Sequence, residues 1–305
     1  MQPKSVTVRV PAKINLQLGV GPLRSDGYHE LVTVFHAVSI YDEVTVETTA
    51  AGTGLSLEMI GDTTVAADAS NLAWRAAELL AEAAGVDADV HLRIHKRIPV
   101  AGGMAGGSAD AAAALVACDA LWRLGTSRED LSRLAATLGS DVPFALHGGT
   151  AIGTGRGEQL MDVLARGTLH WVLAVSDQGL STPAVYGECD RLRADTIVAD
   201  PEVSESLMHG LRSGDARAIG LALTNDLQDA ALSLRPDLAR ILQAGEELGA
   251  LGGLVSGSGP TLAFIVADEE RALDLAVGLM STGLVRSVKR AQGPVPGARV
   301  INESW

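Results

Sequence analysis

Four glycines, at 102, 103, 106 and 107, crowd the stretch PVAGGMAGGSADAAAALVACDAL, between an alternating segment and an alanine-rich one. Glycine lets backbone N–H groups converge on an anion without side-chain obstruction. A helix opening directly afterwards aims its unpaired N–H groups and the positive end of its dipole at the same spot. That helix end contributes only ~0.3–1 kcal/mol, so a polyphosphate also needs the loop amides and a cation. Two familiar nucleotide loops do not fit. A Walker A loop requires a lysine after its last glycine, whereas Gly107 is followed by Ser108 and Ala109; a dinucleotide fingerprint requires GxGxxG, which 102–107 lacks.

Other residues could do chemistry. Asp141, between Gly139 and Pro143 in the otherwise apolar LGSDVPFAL, could accept a proton, although taken alone it reads as a turn or helix-terminal aspartate. Lys13 lies with Asn15 on the polar face of KINLQL, where a strand lysine is ordinarily a solvated charge. His91 and His95 have the i,i+4 spacing of a helical metal pair. VHLRIH alternates like a strand, however, which separates them by about 13 Å and prevents chelation of one ion.

The elements that must position these groups are legible in outline. SVTVRV and KINLQLGV have the period-2 pattern of strands, as do segments near 31–40, 43–48, 55–60 and 89–95. Leu72, Ala76, Leu79 and Leu80 form a helical stripe over 71–84, and a second helix is expected over about 107–122. Ser127 with Asp130 resembles a capping box. Later come a strand at HWVLAVS, a helix from Pro236 to about Leu248, strands at 251–256 and 261–267, a helix at 269–281 and a strand at 283–290. Strands with appended helices and no regular βαβ rhythm predict an α+β chain of two domains, residues 1–160 and 161–305.

Composition narrows the function. A chain of 305 residues with 47% hydrophobic and 20% charged residues is long enough for two packed cores. Its net charge of −13 argues against a nucleic-acid partner, because phosphate neutralisation needs a surplus of Lys and Arg. A small phosphate ester is the expected anion. Two isolated cysteines, Cys118 and Cys189, fit a reducing compartment, and no apolar run approaches the ~20 residues of a membrane helix. A cytoplasmic location without membrane association is therefore expected; nothing in the sequence fixes the oligomeric state.

The glycine loop resembles the second signature motif of the GHMP kinase superfamily. PAKINLQL at 11–18 is similar to the first motif and LVSGSGPTLAF at 254–264 to the third, in the family's order. The resemblance implies a ribosomal-protein-S5-like amino-terminal domain and a ferredoxin-like carboxy-terminal domain, with ATP and substrate in the cleft between them. It also implies that Pro99, Val100, Ala101, Gly102, Gly103, Met104, Ala105, Gly106, Gly107, Ser108 and Ala109 wrap the ATP phosphates, with Ser108 near Mg²⁺. Many relatives carry a second serine where this chain has Ala109. Asn71 and Lys96 resemble residues lining the adenine pocket, though a helix cap and a surface lysine remain alternatives. Asp141 corresponds to the proton acceptor and Lys13 to its cationic neighbour.

Outside the shared motifs, RSDGYHEL and STPAVY are similar to the members acting on a cytidine-diphosphate alcohol. In that branch Asn15, Tyr28, His29, Thr182 and Tyr186 would bind substrate, with His29 on the cytosine edge and Tyr186 against its face. The implied reaction is ATP-dependent phosphorylation of the 2-hydroxyl of 4-diphosphocytidyl-2-C-methyl-D-erythritol in non-mevalonate isoprenoid synthesis. Alternatives are a homoserine or mevalonate kinase, a non-catalytic nucleotide sensor, or an RNA-binding module, the last opposed by the charge. GTGRGE at 153–158 reads as a tight turn, and TNDLQ at 224–228 keeps an open role.

Overall fold

The computed structural model describes residues 3–61, 64–100, 102–176 and 178–305. Its chain begins with two long antiparallel strands, β1 (Ser5–Leu23) and β2 (His29–Thr48). Each joins two segments that the sequence divides. The join in β1 falls at Pro11, where the register with β2 shifts. Proline has no N–H for the ladder and is tolerated in a strand at such a bulge. Residues 10–21 are buried throughout, so the polar face of KINLQL does not meet bulk water.

β3 (Ser56–Ile60), α1 (Leu72–Ala84) and β4 (Val90–His95) follow, with β3 parallel to β4 and β4 antiparallel to β2. His91 and His95 point to the same half-buried face of β4, and the described residues contain no metal-holding cluster of three or more His, Cys, Asp or Glu. α2 (Gly106–Trp122) carries Ala111 to Ala114 in complete burial against β1, β2, α1 and two further helices, α3 (Arg128–Leu138) and α4 (Val142–His147). Small side chains all round allow this helix to be enclosed on every face. Ser127 caps α3 by accepting from Asp130 N. β5 (Thr150–Thr154) pairs with β2, and β6 (Gln159–Asp162) pairs with β5.

β7 (Leu169–Val175) starts a second sheet. After it come α5 (Thr182–Leu192), α6 (Glu205–Ser213), α7 (Ala216–Leu221), the two-residue β8 (Thr224–Asn225), α8 (Gln228–Leu234) and α9 (Asp237–Glu247). β9 (Gly252–Val255), β10 (Leu262–Val266), α10 (Glu269–Ser281), β11 (Ser287–Gly293) and β12 (Arg299–Ser304) complete the chain. The second sheet is antiparallel in the order β11-β7-β10-β9, with Phe264 and Val172 in its buried layer. No described helix is long and apolar enough to cross a membrane.

Segments on either side of the expected division at 160/161 share the first sheet and its core. β6 straddles it, β8 and β12 pair with β1 in the first sheet, and Leu207, Leu211 and Ile219 belong to the first core. Strand pairing between distant segments leaves no mark in local periodicity. The expected strand at 283–290 begins later, at Ser287, after Gly283 in the left-handed region.

Candidate functional site

A cavity of about 1110 Å³ opens between the glycine loop, β1, the α3–α4 loop, α5 and the β9–β10 loop. Small-molecule sites are commonly clefts of roughly 300–1,000 Å³, so this one stands at the upper end of that range.

Its floor is β1. Lys13, 7% exposed, donates from Nζ to Asn15 Oδ1 at 2.7 Å and lies 3.5 Å from Asp141 Oδ2. Asn15 Nδ2 donates in turn to Thr33 Oγ1, and Thr33 Oγ1 donates to the Gln17 carbonyl. The buried chain of bonds fixes the ammonium, and the Phe35 ring lies 5.4 Å from it. Asp141 occupies the N-cap position of α4, yet its side chain makes no capping bond. Its carboxylate is thus left to face Lys13 and the cavity, which a helix-terminal aspartate used for capping would not do.

The glycine loop is held from both sides. Lys13 N donates to the Met104 carbonyl, and Ser256 Oγ donates to the Gly103 carbonyl. Gly103 has φ +71°, and a Cβ there would stand 2.1 Å from the Ser256 carbonyl oxygen. Gly103→Ala is expected to lower stability by more than about 1 kcal/mol in urea unfolding. Gly107→Ala, whose methyl would come no nearer than 3.7 Å to Leu72 Cδ1, should cause no such loss. Gly257, from the β9–β10 loop, approaches the cavity floor closely: a Cβ there would lie 3.5 Å from Lys13 Nζ.

Pro99, Val100, Gly102, Gly103, Ala105, Gly106 and Gly107 line the cavity. Met104 and Ala109 are buried in the core and anchor the loop, and neither lines the cavity. Ser108, in the first turn of α2, does not line the cavity but falls between Gly107 and Asp110, which do. Ala101 falls outside the described residues.

Lys96 is not a surface lysine. It is enclosed between Asp42 Oδ2 at 2.5 Å and Asp110 Oδ2 at 2.8 Å, while Asp42 Oδ1 accepts from Arg97 N and Ile98 N. Burial works to lower the Lys96 pKa, but the two carboxylates outweigh it and hold the ammonium charged. Burial pushes Asp110 well above the usual carboxylate range, against the pull of Lys96. Asp110 Oδ1 is buried without a partner. Asn71 caps α1: its Oδ1 accepts from Ala73 N, its Nδ2 donates to the Ala66 carbonyl, and it does not line the cavity.

At the other end of the cavity stand Tyr28, His29, Thr182 and Tyr186. The His29 and Tyr186 rings stack at 5.3 Å. Burial, followed by the Asp141 charge, raises the Tyr186 pKa, so its phenol stays protonated. Tyr28 is 55% exposed, with the Arg156 guanidinium 5.2 Å from its ring; the GTGRGE turn thus reaches the cavity wall through Arg156. Thr182 Oγ1 and Ser258 Oγ, 2.8 Å apart, tie α5 to the β9–β10 loop.

Asp42, Thr33 and Asp190 escaped the sequence reading, since none carries a local signature, while Asp110 and Arg156 lie in segments the sequence singled out without assigning them a role. TNDLQ now has a role. Asn225 Nδ2 donates to the Val255 and Gly257 carbonyls, and Gln228 Oε1 accepts from Val255 N, so the segment braces the third motif.

Comparison with known proteins shows the family. The model of the GHMP kinases N-terminal domain matches residues 71–149, and that of the GHMP kinases C-terminal region matches 207–281. The chain is 60% identical over 301 residues to a 4-diphosphocytidyl-2-C-methyl-D-erythritol kinase of Mycolicibacterium smegmatis, covering 97% of this chain and 92% of the relative. It is 57% identical to the protein of the same name from Mycobacterium tuberculosis H37Rv, covering 98% and 93%. Among solved structures, a 4-(cytidine 5′-diphospho)-2C-methyl-D-erythritol kinase aligns with TM-score 0.77 at 33% identity, covering 93% of this chain and 98% of that one. A homoserine kinase from Cytophaga hutchinsonii, at 19% identity and TM-score 0.76, covering 98% of each chain, shares the fold.

Proposed function

The chain belongs to the GHMP kinase family, with that family's two-domain α+β fold, and from this premise we propose the reaction its cavity performs. It is an ATP-dependent small-molecule kinase that phosphorylates the 2-hydroxyl of 4-diphosphocytidyl-2-C-methyl-D-erythritol, a step of non-mevalonate isoprenoid synthesis. The observation that carries the mechanism is the Lys13–Asp141 pair, 3.5 Å apart on the cavity wall between the glycine loop and the His29–Tyr186 stack.

In the proposed arrangement the triphosphate lies along the amides of residues 102–107 at the start of α2, where the helix dipole favours negative charge. The acceptor hydroxyl faces Asp141. As its oxygen bonds to the γ-phosphorus, its proton passes to the Asp141 carboxylate and the bond to the β,γ-bridging oxygen breaks, releasing ADP. Phosphoryl transfer asks mainly for positioning and charge neutralisation, which Lys13 provides beside the transferred group. The cytidine end rests against Tyr186, with His29 at the base edge; stacking a base on an aromatic ring is worth ~1–3 kcal/mol.

Mg²⁺ fits as an ion carried on the ATP phosphates. Such an ion keeps several waters and needs one or two protein oxygens, not a cage. The Ser108 hydroxyl and Asp110 Oδ1, the latter a buried oxygen without a partner, are the hard donors at this end of the site. When bound, the ion neutralises phosphate charge.

An ADP-release assay on purified protein tests the reading. Turnover is expected with ATP and the cytidine diphosphate alcohol and not with homoserine or mevalonate. Turnover with either of those two, and none with the cytidine compound, would sink it.

A further inference from the structure

His29, the first residue of β2, and Asp190, in the last turns of α5, are 161 residues apart in sequence and meet on the cavity wall. His29 Nε2 lies 2.9 Å from Asp190 Oδ1. A carboxylate has no proton to give, so Nε2 carries the hydrogen and donates it. In a neutral imidazole a protonated Nε2 leaves Nδ1 as a bare acceptor. Among the described residues no group donates to Nδ1. The ring is 8% exposed and packed on Tyr186 with planes 25° apart, and turning it over would break the Asp190 contact. Asp190 itself is half exposed, so it does not serve as a packing residue.

A fixed acceptor at this point distinguishes bases. Cytosine has an exocyclic amino donor where uracil has an oxo acceptor, and an acceptor facing an acceptor leaves both unsatisfied. We propose that Asp190 is a specificity-determining positioning residue: by holding His29 in its Nε2–H form, it makes the site prefer a nucleotide bearing an exocyclic amino group over its oxo counterpart. This inference rests on the proposed placement of the cytidine end at His29 and Tyr186.

The test compares kcat/KM for the cytidine diphosphate substrate and its uridine counterpart in the wild type, Asp190→Lys and Asp190→Asn. Lysine donates and cannot accept, which forces the hydrogen of His29 onto Nδ1; asparagine can still accept through its amide oxygen. The wild type is expected to prefer cytidine by roughly 10–100-fold, the range for one mismatched hydrogen bond. Asp190→Lys should erase most of that preference with KM for ATP unchanged, and Asp190→Asn should retain it. Two-bond ¹H–¹⁵N correlation spectra of the ligand-free protein read the tautomer without turnover: Nε2–H in the wild type, Nδ1–H in Asp190→Lys. An unchanged cytidine preference in Asp190→Lys, or a wild-type His29 in the Nδ1–H form, overturns this inference alone. A wild type that phosphorylates neither nucleotide overturns the substrate reading and this inference with it.

Discussion

Asp141→Asn is expected to lower kcat roughly 10²–10⁴-fold, the usual range for losing a general base, while KM for ATP and the fold stay close to wild type. The fold should survive because the Asp141 side chain makes no capping bond to α4, and the amide has the same size and shape as the carboxylate it replaces. Lys13→Met should bring a loss of similar order, through the missing charge beside the transferred phosphoryl group. Since the two act as a unit, the double variant is expected to lose far less than the product of the single losses. Steady-state ADP release, with circular dichroism to confirm folding, decides the matter. A well-folded Asp141→Asn protein with near wild-type turnover would remove Asp141 from the reaction and leave the Lys13 pair as structural.

Lys96→Met is expected to be the most destabilising single change in the site, at about 3–5 kcal/mol near neutral pH, the range for removing one partner of a buried ion pair. Lys96 is the common cation of Asp42 and Asp110, and all three side chains are almost fully enclosed. Without it, Asp42 keeps two backbone donors, Arg97 N and Ile98 N, but Asp110 loses its cation and already has an unpartnered Oδ1. The pH dependence has a definite sign. The folded pKa of Asp110 stands above its unfolded value, so the group favours folding below the unfolded value, about 3.9, and that contribution is lost as pH rises through the folded one. Removing the lysine raises the folded value further, so the deficit of Lys96→Met should grow from acidic toward neutral pH. Adding Asp110→Asn should recover part of it, because the amide replaces a carboxylate that no longer has a cation. Urea unfolding across that pH range reads all three effects. A deficit below about 1 kcal/mol, typical of exposed ion pairs, would show that the trio is solvated.

The proposed phosphate site was written locally in this chain. Closely spaced glycines, an alanine-rich helix behind them and the first and third motifs are each properties of short segments, and backbone preferences act over such distances. α1, α2 and α10 accordingly begin and end within about two residues of their expected positions. Tertiary structure alone decided which polar residues meet. It turned Lys13 from a solvated strand charge into a buried cation held by Asn15 beside Asp141, and closed Lys96 between two carboxylates, Asp42 lying 54 residues away. It also withdrew Asn71 into a cap, brought Asp190 to His29, and returned β12 to the first sheet. Periodicity records which face of an element is apolar, whereas the partner of a polar side chain is set by packing between segments far apart in the chain.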